Sequence, residues 1–351
     1  MKPHTPRYEF HSVFAKFIQG YLEQLRIVGK KTTLPGNSLR QFDRYCSAIG
    51  WNTVELPEIL VNNYLNTKSG EKAQTHCTRI SVLKCFSEYL RGVGVEVSWI
   101  PTPGYAHTPN QYIPYIFTKA EIANIINAAD RMAPSTKGSR FHIVFPTILR
   151  VLYASGLRIS EVLALKVGDV DLEQGFIVIR NAKFGKDRKL PVSHSLLEYL
   201  RTYRMVNAAH IGIDADSWFF PNAKGECYSQ RTFYDKFRQI LWQAGISHQG
   251  KGKGPRVHDL RHTFAVHSLQ QNIEMGKDIY TSLTGLMVYL GHSKRSSTEY
   301  YLRLTAEVFP DFLERADSIC AKAIPGVTRY EEEGCLLAIY CVTLFHGIFA
   351  R

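Results

Sequence analysis

A set of side chains scattered through the sequence has the right types to cut a phosphodiester. Arg158 follows Gly156 and Leu157 at what reads as a helix start, in the segment LYASGLRISE that ends at Glu161. The run KFGKDRK holds Lys183, Lys186 and Lys189. His258 and Arg261 stand at i and i+3 in VHDLRHTF, so one helical face carries both. His292 lies in LGHS, and Tyr301 comes nine residues later with Tyr300 beside it. Displacement at a phosphate puts extra negative charge on its oxygens. Guanidinium groups meet that charge best, being always cationic and able to bind two oxygens at once. A nucleophile must attack in line, and an acid must protonate the departing oxygen. With tyrosine as the nucleophile, the bond energy is kept in a phosphotyrosine and can be used again to reseal the strand.

The same residues allow other readings. His258 and His262 stand at i and i+4, a spacing that could grip zinc. No Glu occupies the second position of that pair and no third ligand is evident, so no metal or other cofactor is expected. Chain position alone does not choose between Tyr300 and Tyr301, nor among the three lysines. His262 and His267 are expected to be structural.

These residues need a scaffold to bring them together. From 8 to 93 the pattern is helical: Phe14, Phe17, Ile18, Tyr21, Leu22 and Leu25 share one face. A break is expected at Gly29, Pro35 and Gly36, followed by helices near 38–49, 56–66 and 73–91. Lys30, Lys31, Arg40, Arg44, Lys72, Arg79 and Lys84 lie among them, readable as solvated faces or as phosphate contacts. Residues 94–116 are rich in proline and glycine and read as a linker. Thr118 and Glu121 form a capping box for a helix over 119–131. Helices are then expected at 141–154 and 159–166. A β-hairpin over 176–179 and 189–192 carries the lysine run at its tip. Further helices follow near 193–208, 229–244, 259–271, 278–290 and 296–304.

Composition narrows the partner. Of 351 residues, 45% are hydrophobic and the formal net charge is +12, which describes a globular chain attracted to polyanions. Seven cysteines without a C-x-x-C pair argue against a disulfide framework and for a reducing, cytoplasmic setting. The N-terminus shows no secretory signal. The apolar stretch Cys335–Ala350 falls short of the roughly 20 residues needed to cross a bilayer.

The segments GLRISE, HDLR and LGHS, with a tyrosine nine residues after the last histidine, strongly resemble the tyrosine recombinase (phage-integrase) family, which includes Xer-like recombinases and transposon integrases. The resemblance covers about 115–310 by motif, and 8–100 only as a basic helical domain. It implies a mainly α fold with a small antiparallel sheet, in two domains that grip DNA as a clamp. The expected division is a core-binding domain at 8–95, a linker at 96–116, a catalytic domain at 117–322 and a tail at 323–351. The resemblance implies that Arg158 and Arg261 hold the scissile phosphate and that His292 hydrogen-bonds it. Tyr301 would be the nucleophile, Lys183 the acid for the 5′ oxygen, and His258 an aid to proton transfer. Glu161 would orient the site. Candidate DNA contacts are Lys30, Lys31, Arg40, Lys72, Arg79, Lys186 and Arg188.

It further implies double-stranded DNA as partner, a tetramer on DNA, and room for an accessory protein that sets direction. No membrane is involved. The job would be that of a mobile-element integrase or transposase; the alternatives are a type IB topoisomerase-like enzyme and a catalytically inactive DNA-binding regulator. Two features depart from the pattern. His258 and His292 are 34 residues apart, longer than in compact members, with extra material around Asn272–Gly285. The tail after Pro325 has no clear counterpart, although a helix near 306–322, with Phe309, Phe312, Leu313 and Ile319, could dock on a neighbouring protomer.

Overall fold

Apolar residues at three- and four-residue spacings build most of the elements. The computed structural model describes residues 8–66, 68–101, 113–134, 139–180, 187–247, 254–291, Tyr301 and 304–305. The chain divides into two compact units between Ile113 and Pro114.

In the first unit, α1 (Ala15–Ile27) and α2 (Thr33–Ala48) are followed by α3 (Glu58–Leu65) and α4 (Ala73–Gly92). Phe14, Ile18 and Leu22 meet Phe42, Tyr64, Leu83 and Phe86 in one core. The break expected around Pro35 and Gly36 is absent, because α2 already begins at Thr33. Pro35 sits in the first turn, where its missing N–H costs no hydrogen bond. Gly36 is buried against Tyr8, whose ring lies 2.4 Å from where a Cβ would sit. The stretch expected to be a linker also holds structure: strand β2 (Glu96–Val97) pairs in parallel with β1 (Glu55–Leu56).

In the second unit, Thr118 caps α5 (Lys119–Asp130) with the expected capping box to Glu121. Next come α6 (Phe141–Ser155) and the single turn-and-a-half of α7 (Ile159–Leu163). A three-stranded antiparallel sheet follows: β3 (Val170–Asp171), β4 (Phe176–Ile179) and β5 (Arg188–Pro191). The register pairs Ile179 with Arg188 and Ile177 with Leu190, which puts the alternate residues Ile177, Ile179 and Leu190 into the core. The sequence pattern shows the hairpin, and the structure adds β3. Then come α8 (His194–Val206), α9 (Gln230–Gln243), α10 (Asp259–Glu274) and α11 (Ile279–Leu290). The long interval after His258 is taken up by α10, the turn at Gly276 and α11. Helix α6 lies in the middle of this unit and packs against α5, α8 and α10. A second apolar cluster joins α10 and α11 to Tyr301 and Leu304.

Among the described residues no helix is long and apolar enough to cross a membrane. The segments 306–322 and 335–350 lie outside the described residues.

Candidate active site

Helix α6 ends at Gly156 in a left-handed conformation (φ 60°). This reverses the chain and places Arg158 at the N-terminus of α7. Glu161, in the first turn of α7, accepts the Arg158 backbone N–H at 2.9 Å and its Nη1 at 2.8 Å. On its other side Glu161 receives Arg188, with Nη1 at 3.2 Å from Oε1 and Nη2 at 2.9 Å from Oε2. Burial alone would raise the Glu161 pKa. The bonds from Arg188 and the Arg158 backbone, with both guanidinium charges, outweigh it and hold the carboxyl below its ordinary value. Glu161 therefore stays ionised and fixes both arginines.

Arg261 projects from the first turn of α10 and is 2% exposed. Its Nη1 donates to the Gly156 carbonyl at 2.8 Å and its Nη2 to the Leu290 carbonyl at 2.7 Å. One guanidinium thus ties the end of α6 to the end of α11. It also donates a hydrogen bond to the Tyr301 hydroxyl. Burial, then the charges of Arg158 and Arg188, lower the Arg261 pKa to about 10, so the group remains cationic at neutral pH. Tyr301 is 3% exposed. Burial raises its pKa, Arg261 and Arg158 counter that only in part, and the phenol keeps its proton at neutral pH.

His258 is the residue immediately before α10. Part of it is open to solvent, while its buried side and the charges of Arg261 and Arg158 lower its pKa to about 4. It is neutral at pH 7, and its ring can accept a proton. His262, expected to be structural, lies in the site: its ring is 4.9 Å from that of His258 and 5.5 Å from that of Tyr301. The i, i+4 spacing from His258 was the available signal. His267 is the structural one, with Nδ1 3.1 Å from the Tyr153 hydroxyl. Among the described residues no group of three or more ligands could hold a metal. Lys183, Lys186, His292 and Tyr300 lie outside the described residues.

Two of the expected DNA contacts are paired within the chain. Arg79 is 3% exposed, closes on Glu71 at 3.0 Å and donates to the carbonyls of Tyr64, Leu65 and Asn66. It holds α4 to the end of α3 and presents no charge to solvent. Arg188 has a side chain only 12% exposed and closes on Glu161. Lys30, Lys31, Arg40 and Lys72 are exposed. Lys30 and Lys31 line one groove with Gln74, Thr78 and Ser81 of α4.

The arrangement suits an anion. Three guanidinium groups share the site with one carboxylate, next to a buried phenol and a neutral histidine. Known proteins share both the sequence and the fold. The model of the phage integrase family matches residues 116–307, more than half of the chain. An integrase/recombinase of Sinorhizobium fredii is 29% identical over 87% of this chain and 97% of its own length. The tyrosine recombinase XerA of Pyrococcus horikoshii is 27% identical over 72% of this chain and 77% of its own. Among solved structures, the XerH recombinase bound to its difH substrate superposes with a TM-score of 0.62 at 20% identity, covering 87% of this chain and 84% of that one. A lambda integrase dimer on a core site gives 0.57 at 17%, covering 82% and 76%. These findings place the chain in the phage integrase family, the tyrosine recombinases.

Proposed function

We propose that this chain is a site-specific DNA recombinase that cuts and rejoins double-stranded DNA through a 3′-phosphotyrosine at Tyr301. One observation carries the reading: Tyr301 is buried with its ring 5.5 Å from that of His262, which stands 4.9 Å from that of His258, on the same helix as the buried guanidinium of Arg261. In cleavage the Tyr301 oxygen attacks phosphorus and the bond to the 5′ oxygen breaks. The phenolic proton passes to the His258 side of the site, and the departing 5′ oxygen takes a proton from Lys183. Arg158 and Arg261 hold the non-bridging oxygens, with His292 donating to one of them. Rejoining runs the same steps backwards from a different 5′ hydroxyl, so one phosphodiester is consumed and one is made, with no cofactor.

The first, basic helical unit, which includes β2, grips DNA, and the second unit does the chemistry. Strand exchange joins two duplexes, which calls for a tetramer on DNA and admits an accessory protein that sets direction. The near full-length match to an integrase/recombinase supports the role of an integrase, here assigned to a mobile element.

The test is covalent trapping. Duplexes selected for specific binding from DNA flanking the gene are nicked beside each candidate cleavage position and resolved on a denaturing gel. Wild type and Tyr300→Phe should form an adduct that Tyr301→Phe lacks. Loss only in Tyr300→Phe would move the nucleophile by one residue. Specific binding without any wild-type adduct would refute the enzymatic reading.

A further inference from the structure

We infer that Arg188 is a positioning residue for Lys183, five residues before it in the sequence: it locks the first residue of β5 onto the arginine side of the active site. This rests on the recombinase reading above.

Three observations meet on this side chain. Its guanidinium is bound through both Nη atoms to Glu161, the carboxylate that also holds the Arg158 backbone and side chain. It lies against Gly291, where a Cβ would stand 3.1 Å from Nη1 and 3.3 Å from Cδ and Cζ. Gly291 directly precedes His292 in the sequence. Finally, Arg188 is the first residue of β5, paired with Ile179, the last of β4. That pair closes the connection in which Lys183 stands, five residues before Arg188. One side chain therefore joins the segments that carry Arg158, Lys183 and His292.

Its neighbours on β5 support the assignment. The ammonium of Lys189 lies over the Phe176 ring, 3.2 Å from the centroid. Pro191 offers its carbonyl to the Tyr289 hydroxyl at 3.2 Å, a second tie between the hairpin and α11. A lysine at 188 could reach one Glu161 oxygen, but it has no flat face to lay on Gly291 and cannot bind both oxygens in parallel.

The chemistry supplies a selective test. Lys183 acts only on the leaving oxygen. A 5′-bridging phosphorothiolate in its place departs as a thiolate and needs no proton. Arg188→Ala and Arg188→Lys are compared with wild type on a nicked duplex that wild type cleaves, once with the ordinary phosphate and once with the sulfur-bridged one. Binding of the duplex at wild-type affinity serves as the check on folding. If Arg188 positions Lys183, Arg188→Ala cleaves the ordinary substrate about 100-fold more slowly. It returns to within a few-fold of wild type on the sulfur substrate. Arg188→Lys shows the same pattern with a smaller defect. Wild-type cleavage of the ordinary substrate by either variant overturns the inference, as does an equal defect on both substrates, which would place the effect on Arg158 or on the fold. Two controls report separately on the underlying reading. Tyr301→Phe must form no adduct on either substrate, and Lys183→Ala must be slow only on the ordinary one.

Discussion

Replacing Gly156 by alanine tests whether the turn after α6 sets the geometry of the site. Two costs follow from the structure. Gly156 has φ 60°, where an L side chain is strained by about 1–2 kcal/mol. A Cβ there would also stand 2.3 Å from Cδ1 and 2.9 Å from Cε1 of Phe264, and 3.0 Å from Cδ2 of Leu290. The Phe264 ring cannot simply swing away, because it stacks on Tyr289 with centroids 5.6 Å apart. Overpacking of this kind costs about 1–3 kcal/mol, so the total is about 2–5 kcal/mol. Gly245→Ala is the control within the same unit. Its φ is 77° but nothing lies within 4 Å of its Cβ position, so only the backbone strain of about 1–2 kcal/mol applies. The clash should reach the chemistry too. Phe264 rides on α10 with Arg261, whose Nη1 is bonded to the carbonyl of Gly156 itself. A shift of about 1 Å between these groups should slow cleavage by about 100-fold. Urea unfolding of both variants gives the stabilities, and adduct formation at 25 °C gives the rates. Equal destabilisation in the two variants, or wild-type cleavage by Gly156→Ala, would refute the reasoning.

Other expectations follow from single interactions. Arg79→Ala should lower stability by about 3–5 kcal/mol, because it leaves Glu71 buried without its cation; a urea midpoint within error of wild type would contradict the burial. Lys30→Ala, Lys31→Ala and Lys72→Ala should leave that midpoint unchanged. Each should flatten the slope of log affinity for DNA against log salt by about 0.9 for every phosphate the side chain neutralises in wild type, and an unchanged slope removes that residue from the interface. His258 has its folded pKa lowered from 6.5 to about 4, so the unfolded chain takes up the proton first. Its contribution to stability is complete above about pH 6.5 and is lost as pH falls towards 4. His258→Gln should therefore shrink the difference in urea midpoint between pH 7 and pH 4.5. His267, shifted in the same direction by burial, keeps the remainder. A difference as large as in wild type would refute the shift.

Local signals are readable in the sequence, and contacts between distant segments are not. The Thr118–Glu121 box, the alternation through Ile177 and Ile179 and the helical stripes of α1 and α4 all have periods of two to four residues. The three-residue spacing of His258 and Arg261 does bring both to one site. What it hides is that Arg261 reaches carbonyls 105 and 29 residues away. Arg79 resembles a surface charge because its partner Glu71 precedes α4, and no helical spacing links the two. Arg188 stands in a run of basic residues that suggests phosphate contacts; its carboxylate is 27 residues upstream. Strands β1 and β2 are two residues each, with paired residues 41 positions apart, too short to show a pattern. Proline and glycine near 35 suggest a stop, although at a helix start proline is well accommodated.

The position of Arg261 bears on how such a protein could decay. The carbonyls it binds belong to the C-terminal ends of α6 and α11, where the helix dipoles point their negative poles. The same cation thus neutralises two helix ends and, in the proposed reaction, would also serve the phosphate, so the domain leans on this charge to stay folded. Tyr301 holds no such post. A lineage released from selection for strand exchange could exchange Tyr301 for phenylalanine and keep its architecture, whereas loss of Arg261 would strip the pin from two helices at once. Descendants retained only to occupy DNA should therefore still carry the arginine long after the nucleophile has drifted away.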